Sequence, residues 1–172
     1  MEYFILQQDD RIYDTIHIPI FSILRNYDYK SYNLEKLSRM TVITRKGNAY
    51  EEYPDLLSAL FLVSEHLNEI ISIFAIGMEY KLFCFWDQYK NTPFYYYAYI
   101  PPAIDGLSDQ SIIKNRGTVI IKPVFKREKM KNFDIVRIIG REKPLILVSL
   151  PVAEAIMRRN YKGVRLIQTY LD

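Results

Sequence analysis

Apolar positions in this chain recur with a period of two in some stretches and of three to four in others, and the changes of period divide it into elements. Tyr3 to Leu6 is a short unbroken apolar run, which predicts a strand buried on both faces. Ile16, Ile18 and Ile20 alternate with His17 and Pro19, an extended segment whose proline keeps it out of a central strand position. Residues 25 to 40 are polar and tyrosine-rich without a strong period, and Met40 to Thr44 reads as another short strand, closed by Lys46-Gly47-Asn48.

The helical signal is clearest after Ser64. Ser64 is a good N-cap, and Glu65 suits the positive end of the helix dipole. Leu67, Ile70, Ile71 and Phe74 then form one apolar stripe and Gly77 ends it, which predicts a helix over about 64–76. Lys81 to Gln88 and Pro93 to Ile100 read as two strands of a hairpin joined by Tyr89 to Thr92. Within FYYYAYI, Tyr95, Tyr97 and Tyr99 share one face of the strand while Phe94, Tyr96, Ala98 and Ile100 share the other. Such a strand is either covered on both sides, by a helix and a second layer, or presents one tyrosine row as a contact platform.

Thr118 to Val124 is a further strand candidate, followed by a polar connection from Lys122 to Lys131. Phe133 to Ile139 and Leu145 to Ser149 form a pair turning through residues 140 to 144. A second helix is expected over about 151–162, with Pro151 in its first turn, Val152, Ala155 and Ile156 facing inward, and Gly163 as the stop. Val164 to Leu171 returns as a strand. The order predicts an α+β fold: a single domain over residues 1–172, a mostly antiparallel twisted sheet, and the two main helices packed on it.

Composition sharpens this only in places. With 49% apolar and 25% charged residues the chain has the balance of a globular protein. Fifteen tyrosines and nine phenylalanines favour strands and contact surfaces. A net charge of +3 is small for a dedicated nucleic-acid binder, whose affinity comes mostly from phosphate contacts. The lone Cys84 cannot form an internal disulfide, no apolar run approaches the length of a membrane span, and MEYFILQQDDR lacks a basic signal-peptide region. A cytoplasmic protein with no membrane association is expected.

Candidate chemistry is sparse. Cys84 sits among aromatics in FCFW, where burial makes a thiol inert. His17 and His66 have no His or Cys at ligand spacing, so no metal is expected. DGLSDQS lacks the oxygen-ligand series of a calcium loop, and its Asp and Ser side chains are expected to satisfy backbone donors. There is no phosphate-cradling glycine loop, hence no cofactor expectation. Arg158, Arg159 and Lys162 would lie within about one turn of the second helix, where cations suit the negative end of the dipole and also suit partner recognition.

The segment VSLPVAEAIMRRNYKGVRL resembles the C-terminal signature of a family of predicted immunity proteins from bacterial polymorphic toxin systems, formerly a domain of unknown function. Ser149, Arg158, Arg159, Tyr161, Gly163 and Val164 carry the match, supported by FILQQDDRIYDT, YPDLLSALFLVSEHLNEII and IDGLSDQS. Residues 25 to 50 match nothing in that pattern. The resemblance implies a small α+β protein that binds and neutralises a cognate toxin domain, with no catalytic residues to transfer. It makes a non-enzymatic binding protein the leading expectation, with Tyr95, Tyr97, Arg158, Arg159, Tyr161 and Lys162 as candidate partner contacts. The alternatives are a nucleic-acid-binding or other regulatory module and an uncharacterised enzyme using carboxylate chemistry.

Overall fold

The computed structural model describes residues 2–12, 15–16, 38–114, 119–139 and 145–172. The expectations for His17 to Ile20, for residues 25 to 37 and for the turn at 140–144 lie outside these. The fold is α+β and mostly sheet, but it holds two five-stranded sheets where the hydropathy pattern predicted one.

The first sheet has the strand order β13-β1-β12-β11-β7, with β1 Tyr3–Gln8, β7 Ala103–Ile104, β11 Ile135–Ile138, β12 Leu145–Ser149 and β13 Val164–Gln168. β1 pairs antiparallel with both β12 and β13, and its run is apolar throughout because Phe4 and Leu6 pack in one core while Tyr3 and Ile5 pack in another on the opposite face. The second sheet runs β2-β5-β6-β4-β3, with β2 Met40–Arg45, β3 Leu56–Leu57, β4 Leu62–Ser64, β5 Tyr80–Asp87 and β6 Thr92–Tyr99. β5 and β6 form the expected hairpin, and Asn91 takes the positive φ that its turn requires. Two small pairs complete the described strands: β8 Ile112–Lys114 with β9 Val119–Lys122, and β10 Val124–Phe125 with β14 Tyr170–Leu171. Parallel pairing joins β2 to β5, β7 to β11 and β10 to β14; the remaining pairs are antiparallel.

Helix α1 (Glu65–Phe74) is capped as predicted, the Ser64 hydroxyl accepting from the Leu67 amide at 3.1 Å. Its buried residues Leu67, Ile70 and Ile71 meet Val152, Ala153 and Ile156 of α3 (Leu150–Met157). Both helices pack in one core with Leu6, Ile146 and Val148 of the first sheet and Val63 and Tyr99 of the second. The helices are therefore the layer shared by the two sheets. Each sheet closes a separate core on its other face: Tyr3, Ile5 and Leu147 with Phe125 and Met130, and Phe83, Phe85 and Tyr96 with Leu57 and Leu62.

Four sequence expectations need correction. α3 ends at Met157, so Arg158 is its C-cap and Lys162 lies beyond the helix in a turn; the Tyr161 side chain turns inward and ends the helix early. The Thr118–Val124 strand is split at Pro123 between β9 and β10, and the last strand is split at Thr169 between β13 and β14. Proline cannot donate to a continuing ladder, and the Thr169 amide and hydroxyl both donate to the Tyr3 carbonyl. Finally, the Lys122–Lys131 stretch contains a short helix, α2 (Arg127–Met130), whose Met130 is buried beneath the first sheet.

Candidate functional site

The elements converge most densely at Asp55, just after a buried Pro54. Its carboxyl group accepts from the Ser64 hydroxyl at 2.5 Å and from the Lys162 amide at 2.7 Å. Its backbone closes the same triangle, the amide donating to the Lys162 carbonyl and the carbonyl accepting from the Ser64 amide. One side chain thus ties the strand entry, the start of α1 and the turn after α3. Gly163 makes that approach possible, because it holds φ +72° and a Cβ there would meet Pro54 Cβ at 2.5 Å.

Beside Asp55 lies an open cleft of ≈ 460 Å³. It forms where β4 gives way to α1 and leaves the first half of β6 without a neighbour on that side. Tyr53, Phe94 and Tyr95 supply aromatic wall, while Asp55, Glu65 and Glu69 supply carboxyl groups. His66 completes the rim, its Nδ1 3.5 Å from Asp55 Oδ1 and its ring 4.7 Å from that of Tyr161. No Lys or Arg lines the cleft among the described residues.

Ser64, His66 and Asp55 are the residue types of an acyl-transfer triad, but the order of contacts is wrong for one. In such a relay the histidine stands between hydroxyl and carboxylate and takes the hydroxyl proton. Here the carboxylate stands between the other two, and the Ser64 oxygen is also committed to the Leu67 amide. The arrangement caps a helix; it does not activate a nucleophile. Cys84, buried opposite Tyr95 in the β5–β6 ladder, has its thiol pushed up by burial, away from the reactive thiolate.

A second polar centre sits at the turn of the hairpin, joined to the cleft through Tyr53, which lines it. Asp87 is fully buried and accepts from the Tyr53 hydroxyl at 2.8 Å and the Lys90 amide at 2.9 Å. Burial pushes its carboxyl group up, but these bonds and the nearby Lys90 charge outweigh it and leave the group below its ordinary value. Tyr53 is pushed up in turn by burial and by Asp87. Its ring stacks on Phe94 with centroids 3.6 Å apart, and the Lys90 ammonium stands 5.1 Å above it.

The six candidate contacts divide clearly. Tyr95 is exposed and lines the cleft. Tyr97 is half-buried, edge-on to Tyr80. Lys162 is exposed and pairs with Glu52 at 2.7 Å. Arg158 pairs with Glu154 at 3.5 Å, and the Arg159 guanidinium donates to the Ala155 carbonyl at 3.3 Å. Tyr161 is buried, its phenol is pushed up by that burial, and its hydroxyl has no partner among the described residues. The tyrosine row follows the covered reading for Tyr99, which donates to Asn68 of α1 and is pushed up to about 12 by burial, and the platform reading for Tyr95.

Sequence reading missed Asp55 and the carboxyl group of Asp87 as organising centres. The only trace of Asp55 in the chain is an Asp between a proline and an apolar run, a pattern that any turn would share. A comparison with models of known protein families finds no match, and a search of curated proteins finds no relative either.

Proposed function

We propose that this chain is a non-enzymatic binding protein that neutralises a cognate bacterial toxin by direct protein–protein contact. The observation that carries the reading is the resemblance of VSLPVAEAIMRRNYKGVRL and the shorter motifs upstream to predicted immunity proteins. Two features of the geometry support it. The groups that would attract a catalytic reading are engaged in holding the fold, Ser64 and Asp55 at the cap of α1 and Asp87 under the hairpin. The aromatic side chains left at the surface, Tyr95 above all, are of the type that anchors protein interfaces.

Neutralisation by contact requires an interface of about 800 Å² on each partner and a few anchors, and no catalytic group. The test is co-expression with a toxin domain, sought in the gene beside this one. Growth should be restored and the two proteins should co-purify. Wild-type protein that neither binds nor protects removes the proposal.

A further inference from the structure

The helices cover only part of the second sheet. α1 and α3 lie over β3, β4 and the Tyr99 end of β6. On the same face, β2, β5 and the start of β6 carry Met40, Val42, Tyr80, Trp86, Tyr95 and Tyr97. Four of these are large apolar or aromatic groups in water, Met40 49%, Val42 57%, Tyr80 52% and Tyr95 40% exposed. A cluster of that kind on one sheet face marks an interaction surface more often than a bare one.

The charge beside it says what kind. Tyr95 is shared between this face and the cleft, whose carboxyl groups are Asp55, Glu65 and Glu69. Glu65 is close enough to Tyr97 to raise its phenol, after the larger effect of burial. Glu65 and Glu69 are exposed on α1, and neither forms an ion pair among the described residues. Two cations near the cleft among the described residues are already engaged: the Lys90 ammonium lies 5.1 Å over the Tyr53 ring and donates to the Glu51 carbonyl, and the Arg159 guanidinium, which acts on Tyr161, donates to its own helix. Tyr161, 9% exposed, has its hydroxyl buried and unpartnered among the described residues, with Asp55 and Glu69 close by. A chain of net charge +3 thus presents carboxyl groups where it presents aromatic rings.

We infer that this face, from β2 across β5 to the cleft beside α1, is the docking surface of the binding protein proposed above, and that its occupant is a basic protein surface. One Lys or Arg side chain of the partner enters the cleft, between the ring of Tyr95 and the carboxyl groups of Glu65 and Glu69. There a cation gains both ring quadrupole and opposite charge. Apolar partner side chains cover Met40 and Val42. A second copy of this chain fits worse, because a two-fold contact sets the same patch, with its own carboxyl groups, against itself. The inference rests on the toxin-binding reading for the identity of the partner and on the geometry for the surface.

The experiment measures affinity for the same toxin domain, together with growth protection and melting temperature. Its variants are Tyr95→Ala, Val42→Asp, the double reversal Glu65→Lys with Glu69→Lys, and as control Arg127→Ala with Lys131→Ala. Tyr95→Ala and Val42→Asp should each weaken binding at least ~30-fold, as loss of an anchor does. The double reversal should weaken it at least ~100-fold, and wild-type affinity should fall as salt rises from about 50 to about 300 mM. The control should stay within ~3-fold, and circular dichroism should show every variant folded, since all the changed side chains are exposed. If wild type binds and protects and the face variants do so equally, this surface is wrong while the toxin-binding proposal stands. If Val42→Asp instead dissociates a wild-type dimer, the occupant is a second copy and the inference falls. If wild type neither binds nor protects, both readings fall together.

Discussion

A methyl group added at Gly163 has nowhere to go. The left-handed φ disfavours any side chain, and the space is held by the Pro54 ring. Gly163→Ala should cost about 2–4 kcal/mol in urea unfolding, from backbone strain plus overpacking. The hydropathy break at Gly163 was legible in the sequence as a helix stop; the close approach to Pro54 was not, because it joins positions far apart in the chain. Asp87 makes a different prediction. Its folded-state carboxyl group lies below the ordinary value, so it contributes stability that is present above about pH 4 and is lost as pH falls through the folded value. Asp87→Asn should therefore cost about 1–3 kcal/mol at pH 7, and the gap to wild type should narrow as the pH falls below the ordinary carboxyl range. A gap independent of pH would mean that the charge is not what Tyr53 and Lys90 stabilise.

At the scale of elements, the legible features were those written in neighbouring residues. The α1 stripe, its Ser64 cap and the β5–β6 hairpin all depend on spacing within a few positions. What stayed hidden depended on distant partners: the two-residue strands β3 and β7, the parallel pairing of β2 with β5, and the division into two sheets. The same logic explains the early end of α3, where the pull of Tyr161 into the core overrides a helical pattern running to Lys162. Ile71 is the sharpest element-scale test. It is fully buried where α1 meets α3, and Ile71→Asp should unfold the protein or remove more than about 4 kcal/mol. Glu69→Lys, on the exposed side, should alter stability by less than about 0.5 kcal/mol. Equal melting of Ile71→Asp and wild type would contradict the packing.

For the whole molecule, net charge conceals its distribution. Several of the exposed cations are already paired, Lys162 with Glu52, Arg158 with Glu154 and Lys129 with Asp105 at 3.8 Å. Retention on DNA should accordingly be weak and should vanish as salt rises from about 50 to 200 mM; a sub-micromolar complex surviving that change would favour the nucleic-acid reading. Composition indicated a contact-making protein, but only the fold shows that tyrosines and carboxyl groups share a face, because that depends on where α1 leaves the sheet uncovered. The placement of β1 carries a consequence in time. This strand lies far upstream of β12 and β13, its partners on either side. On the ribosome it must wait, with its apolar faces available to chaperones, until β12 and β13 have emerged, and pairing across so long a loop makes folding slow. Nascent chains stalled before β12 should be cleaved by protease within β1, and those released past β13 should be protected.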